Sequence, residues 1–281
     1  MDASQIPGIR GAGGMKFLCG AVIFFTTAAS FCEAAELWRT KLAPENPGPF
    51  PLVKPFDGEF RFGWLDLEAG RAKVKLTDEG DAVRMQVEGG STGMARALWK
   101  IDATHTATIL KSGLQSRAFD QVEKYAKKTV TTQAVFQPDG LWRQRDVVPD
   151  PNGPAKWKRI KITPIRDIIA AMFFIRSQPL ANTDRVGVIA FPGDASYLVE
   201  VEVAGREMIA IAGKSWPSIK LTFQISTIVK ADKKENKLEP HKKFRNGTVW
   251  ISDDENRIPL RAEVNIFIGY VFGELEKVSF P

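Results

Sequence analysis

The chain has 281 residues, 44% of them hydrophobic and 26% charged, with a formal net charge of +6. These proportions exclude collagen, a coiled coil and a wholly disordered chain. With two cysteines and two histidines it is no disulfide-dense mini-protein, and a zinc cluster is not expected.

The N-terminus reads as an address. Residues 17–31 carry no charge and follow Lys16, with Arg10 further upstream. A basic start, an apolar middle and a small-residue exit make a secretory signal. Small residues at Ala28 and Ser30, or at Cys32 and Ala34, offer two cleavage sites, and cleavage after Ala34 is preferred because it leaves polar Glu36 near the new end. Met15 is a second candidate start. The alternative is an uncleaved anchor, but a spanning helix needs about twenty apolar residues. A lipoprotein signal is rejected, because Phe31 precedes Cys32 and Leu18 precedes Cys19. The expectation is therefore a signal peptide over 1–34 and secretion across the inner membrane into the periplasm, with no membrane anchor after cleavage. Both cysteines leave with that segment, as do Arg10 and Lys16 with Asp2 and Glu33, so the mature charge stays +6.

Residues 35–54 form a Pro-rich extended arm, with four prolines in 43–51. A single β-rich domain over 55–281 follows. Phe60, Phe62 and Trp64 share one face of a strand, as do Ala72, Val74 and Leu76, then Val83, Met85 and Val87. A short helix is predicted over 93–102, with Met94, Ala97, Leu98 and Ile101 at helical spacing. Strands follow at 104–110 and 118–124. A hairpin joins 129–136 to 141–148 through Pro138-Asp139-Gly140. Beyond a loop at 149–154 and an alternating run at 157–162, Thr163 is read as the cap of a helix with Pro164 in its first turn. Ile165, Ile168, Ile169, Met172 and Phe173 make its one buried stripe, with Asp167 early and Arg176 late. The remainder is β. Val199, Val201 and Val203 face inward, 218–229 is a long strand, and 230–241 is a charged, exposed loop. Asn246-Gly247 is read as a two-residue hairpin turn. The chain closes with 248–252, a turn at 253–256, and strands at 258–268 and 270–275. About a dozen strands and one or two short helices give a mainly β fold, an antiparallel sandwich or an open, half-closed barrel.

Catalytic constellations are thin. Gly213-Lys214-Ser215 lacks the glycine of a phosphate loop five positions earlier, where Met208 stands. No Gly-x-Ser-x-Gly elbow occurs, and neither His105 nor His241 has a nucleophile motif nearby. Asp253-Asp254-Glu255-Asn256 lacks the spacing of a calcium loop and reads as a solvated turn. Glu200 and Glu202 form a carboxylate pair of the kind glycosidic chemistry uses, a weak signal on any outward strand face. Lysine clusters at 124–128, 156–161 and 233–245 read as protected strand edges, with weak attraction to anionic lipid or cell-wall polymer as the functional alternative. Export argues against nucleic acid. No catalytic residue, metal or cofactor is expected.

The ordered pattern resembles the bacterial exported proteins of domain-of-unknown-function family 3108. The residues that carry it are Pro55 to Phe60 with Gly58, Trp64, the strand before Asp139-Gly140, the Asp167 to Arg176 segment, Val203-Ala204-Gly205-Arg206-Glu207, and above all Trp250 to Pro259. The resemblance implies an exported, largely antiparallel β protein and no activity. It suggests structural or turn-making roles for Gly58, Asp253, Asp254 and Pro259, with the carboxylates capping a tight hairpin. Trp250, Arg176 and Arg257 are the candidate ligand contacts. The leading expectation is a non-enzymatic binding or assembly module whose curved sheet takes a lipid, another amphipathic ligand or an envelope protein. A carboxylate-dependent cell-wall glycan hydrolase is the alternative.

Overall fold

The computed structural model describes residues 37–51, 54–65, 67–150, 153, 155–230, 236–242, 244 and 246–281. The expected signal peptide at 1–34 lies outside them.

A meander comes first: β1 (Phe56–Trp64), β2 (Leu67–Glu79), β3 (Ala82–Ser91), β4 (Ile101–Leu110), β5 (Gln115–Tyr125), β6 (Thr129–Gln137), β7 (Gly140–Val148) and β8 (Lys158–Ile160). Each strand pairs with its predecessor, and α1 (Gly93–Leu98) interrupts the connection between β3 and β4. After β9 (Arg166–Asp167) and α2 (Ile168–Ser177) come β10 (Arg185–Phe191), β11 (Tyr197–Ile211), β12 (Lys214–Lys230), β13 (Asn236–Pro240), β14 (Asn246–Ser252), β15 (Pro259–Asn265) and β16 (Tyr270–Ser279). All sixteen strands belong to one open sheet. The last strand lies between β15 and β1 and so welds the two halves together. The edges are β8 and β9, and β9 runs parallel to β10. The fold is thus the open barrel of the two expected architectures.

Alternation along the strands explains which face turns inward. Val74, Leu76, Val83 and Met85 are buried, while Lys75 and Arg84 between them are exposed. Register shifts interrupt several pairings, at Glu59/Phe60, Phe62/Gly63, Thr108/Ile109 and Trp250/Ile251 among them. Such bulges increase local twist and let a wide sheet coil. At the hairpin between β6 and β7, Gly140 has φ +133°, and a Cβ there would stand 2.0 Å from the Ile160 carbonyl oxygen, so only glycine fits.

The concave side of the sheet holds α2. The predicted start of this helix is corrected. Its N-cap is Asp167, whose Oδ1 accepts from the amides of Ile169 (2.8 Å) and Ala170 (3.0 Å), while Thr163–Pro164 lies upstream of it. Arg166 belongs to β9, paired with Ala190, and its guanidinium donates to the carbonyls of Leu114 (3.1 Å) and Glu45 (3.0 Å). The single buried stripe is also corrected. Ala170, Ala171, Phe174, Ile175 and Ser177 are buried as well, whereas Met172 is 39% exposed. A helix enclosed by a sheet has no solvent face to keep polar.

Three further expectations change. The predicted apolar face of α1 is not core, for Met94 and Leu98 are exposed at its surface. Asn246-Gly247 is not a tight turn but opens β14, with Gly247 opposite Phe223 and Val264. Within the predicted loop at 230–241, residues Asn236–Pro240 form β13 along the end of β12. The Pro-rich segment is fastened to the domain. Ala43 donates to the Gly187 carbonyl (2.9 Å), Phe50 to the Ser177 carbonyl (3.0 Å), and the Arg257 guanidinium lies 3.7 Å from the Phe50 ring centre.

Candidate functional site

Between α2 and the inner face of β10 to β16 lies a cavity of about 470 Å³. The inward aliphatic side chains of these strands line one side, with Val201, Leu221 and Ile251 among them. The other side is Ala171, Met172 and Phe173 of the helix. Because α2 rises about 1.5 Å per residue, lining from Ile168 to Arg176 makes the space about 12 Å long. Its wall is almost wholly apolar apart from two guanidinium groups at one end, Arg176 and Arg257.

These two arginines form a reciprocal latch. Arg257 donates to the carbonyls of Arg176 (2.6 Å), Gln178 and Pro179 (3.0 Å), and so supplies donors to the open end of α2. Arg176 donates to the carbonyl of Asn256, in the turn that precedes Arg257. That turn is held by Asp254, whose Oδ1 accepts from Ser252 Oγ (2.8 Å) and from the amides of Asn256 (2.9 Å) and Arg257 (2.9 Å). Burial, reinforced by Arg257, lowers the pKa of Arg176 to about 10, with Asp254 opposing the shift. Burial is also the main cause that lowers Arg257.

At the Ile168 end the cavity meets a second, polar pocket of about 490 Å³, and the two share Ile168, Ala190, Val199, Ile225 and Phe244. Here Tyr197 Oη donates to Asp194 (3.0 Å) and Tyr125 Oη to Glu123 (3.2 Å). Burial, then the neighbouring carboxylate, raises the pKa of both phenols. Arg145 lines the same pocket. The His241 ring stacks on Phe244 at 5.5 Å and meets Tyr197 edge-on at 5.2 Å. The apolar chamber thus opens into an aromatic and charged vestibule.

The structure separates the residues singled out from sequence. Arg176 and Arg257 close the cavity, and Pro259, the first residue of β15, lines it beside them. Trp250 is elsewhere. Val249 and Ile251 face the cavity, so Trp250 between them faces the other side, packed with Ile211, Leu260 and Leu275. Its Nε1 donates to Glu207 (2.6 Å). Asp253 pairs with Arg206 (2.9 Å), and Gly58 lies inside β1, opposite Val74 and Val278. Glu200 pairs with Lys41 and Glu202 with Arg185, each at 3.0 Å. His105 packs edge-on against Phe119 at 6.0 Å, and burial lowers its pKa. Among the described residues no group of three or more His, Cys, Asp or Glu side chains is placed to hold a metal ion. Sequence reasoning missed the vestibule. Tyr125, Asp194 and Tyr197 carry no motif, and only the sheet's curl brings them together.

A solved β-barrel-like protein of domain of unknown function DUF1849, from Brucella abortus, is similar to this chain. It is 12% identical over 82% of this chain and 98% of its own, with a TM-score of 0.53, a likeness of fold alone. A protein from Bacteroides fragilis described as exported, with a YmcC-like fold, is 8% identical over 83% of this chain and 98% of its own at a TM-score of 0.35. No curated protein matches the sequence. No helix among the described residues is long and apolar enough to cross a membrane. The model of the family described as "Protein of unknown function (DUF3108)" matches residues 59–276, nearly the whole of the sheet just described, and the chain belongs to that family.

Proposed function

We propose that this is an exported, periplasmic binding protein for an amphipathic molecule, with the apolar part of the ligand along α2 and its polar head in the vestibule. The observation that carries this reading is the almost wholly apolar, half-open cavity of about 470 Å³ between α2 and the sheet. Ligand pockets run from about 300 to 1,000 Å³ and are lined mainly by apolar side chains, as this one is. The glycan hydrolase alternative finds no support in the carboxylates it named, since Glu200 and Glu202 are held in ion pairs outside the cavity.

The experiment is a titration with the fluorescent fatty acid cis-parinaric acid, competed by palmitate. Saturable binding is expected, weakened at least about tenfold when Met172→Trp fills the half-open wall of the chamber, since a blocked apolar pocket loses its contact area. Met208→Ser, outside the cavity, should bind as the parent does. Binding that does not saturate, or that ignores Met172→Trp, would remove this function.

A further inference from the structure

In an antiparallel meander, alternate connections fall at the same end of the sheet. The connections β15–β16, β1–β2, β3–β4, β5–β6 and β7–β8 therefore follow one another along one rim. Contacts join them. Trp64 Nε1 donates to the Ile268 carbonyl (2.8 Å), Leu65 N to the Tyr270 carbonyl (2.9 Å), and Thr92 N to the Ala69 carbonyl (2.9 Å). Further along, Lys124 lies opposite Asp102 and Thr129 opposite Val148.

The tips of this rim are unusual for turns. Phe267 is fully exposed, Leu98 is 88% and Met94 85% exposed, and Leu67, Ile268 and Trp99 are each more than half exposed. Large apolar side chains on separate turns of one rim are not the Gly, Asn and Asp that turns ordinarily take. Basic residues continue the row. Lys100 heads β4, Lys124, Lys127 and Lys128 surround the β5–β6 turn, and Lys156 and Lys158 flank exposed Trp157 before β8. Of the carboxylates on this rim, Glu68 and Asp102 are held by Arg71 and Arg96, Glu123 accepts from Tyr125, and Asp150 lies in the β7–β8 connection. The opposite rim differs in its apolar content. Its turns carry Glu79, Asp81, Asp139, Asp253 and Glu255, paired with Arg84, Arg117, Arg159, Arg206 and Lys54, and no large exposed hydrophobic residue stands at those turns among the described residues.

We propose that the first rim is a membrane-docking edge, in which the apolar tips enter the interfacial layer of an anionic lipid bilayer and the lysines lie over its headgroups. The lysines beside the apolar tips commit this rim to an anionic surface, and the tips set which end approaches. The shape selects a bilayer over a protein partner. A stable protein interface needs a continuous complementary patch of about 800 Å² on each side, whereas single side chains projecting from successive turns insert independently into a fluid surface. Aromatic and leucine tips beside lysines are the composition of interfacial anchors. The vestibule adjoins this edge, since Tyr125 lines it and Lys128 Nζ lies 5.4 Å from the same ring. Docking does not require the cavity to be filled, so the two readings fail separately.

Flotation of the protein, as its host makes it, on two kinds of vesicle tests this. One kind is phosphatidylethanolamine with phosphatidylglycerol, the other phosphatidylcholine alone. The protein should float with the anionic vesicles, less so as salt is raised. The triple variant Leu98→Ser, Phe267→Ser, Ile268→Ser and, separately, Lys124→Glu, Lys127→Glu, Lys128→Glu should each weaken this at least about tenfold. All replaced residues are at the surface, any leader is common to every form, and Met208→Ser away from the rim should float as the parent does. Parent protein that floats with neither vesicle, or rim variants that float as well as the parent, would overturn the proposal. So would loss of a co-purifying protein from the rim variants without any flotation of the parent, which would make the rim a protein-docking surface.

Discussion

Asp167 shows how one buried side chain can organise a fold at a cost. It is wholly buried, caps α2 with one oxygen, and is held at the other by Ser116, whose Oγ donates to its carboxylate and accepts from its amide (2.7 Å). Burial raises its pKa from 3.8 to about 6, against the opposing hydrogen bonds. A carboxyl whose pKa is raised in the folded state takes up a proton on folding at intermediate pH. Its contribution is therefore fully present below about pH 4 and is lost as the pH rises through about 6. Asp167→Asn keeps a capping oxygen without the charge. The variant is expected to gain on the order of 2 kcal/mol at pH 7 and to flatten the pH dependence between 4 and 6. Urea unfolding at several pH values reads both effects, and parallel curves for parent and variant would contradict the assignment. The capping aspartate was visible in sequence as an early acidic residue, but Thr163-Pro164 gave a stronger local signal. What decides between them is the Ser116 hydroxyl, 51 positions away and invisible to local pattern.

At the scale of elements, strands were easier to read than helices. The period-two runs at Val74 and Leu76, at Val83 and Met85, and at Val201 and Val203 mark inward faces that the structure keeps. A period of two needs only one neighbouring sheet face to be meaningful. Helical spacing says which side is apolar but not how many sides the protein will cover. For α2 the difference is testable. The spacing puts Met172 in the buried stripe and leaves Phe174 out, whereas the fold exposes Met172 and buries Phe174 to 1%. Phe174→Ala should cost about 3–5 kcal/mol, and Met172→Ala under about 1 kcal/mol, in equilibrium denaturation. The reverse order would restore the single-stripe helix. Asn246-Gly247 failed for a related reason. The pair has turn chemistry, but β13 supplies the return and leaves Gly247 flat against Glu263, where a Cβ would stand 2.2 Å from the carbonyl oxygen.

For the whole molecule, composition and strand count were enough for a mainly β domain, and the ordered motifs were enough for the family. They were not enough for the order of the sheet. About a dozen strands were expected and sixteen are present among the described residues; those not anticipated include the short Arg166–Asp167 and Asn236–Pro240, which carry no run long enough to count, and Arg185–Phe191, whose apolar run was passed over. The site was half legible. Arg176 and Arg257 were named from the family's own pattern, but the vestibule draws on β5, β7 and the β10–β11 hairpin, and no local rule joins them. The sheet order itself predicts a mechanical dependence. Because β16 bonds to both β1 and β15, removing residues 270–281 should cut the sheet in two and abolish cooperative unfolding, whereas an ordinary edge strand would only lower the midpoint. A calorimetric transition that survived the truncation would show the halves to be separate folding units.

That same placement has a consequence in time. A ribosome delivers β1 before β16, so for most of the interval between them β1 is an open edge with no partner on one side. The pairing that completes the sheet is also among its longest in sequence, which makes it slow to find. During that interval the exposed edge is free to recruit any other strand, including β1 of a neighbouring copy. The protein's exposure to misassembly is therefore set less by its final stability than by how long its C-terminus takes to arrive.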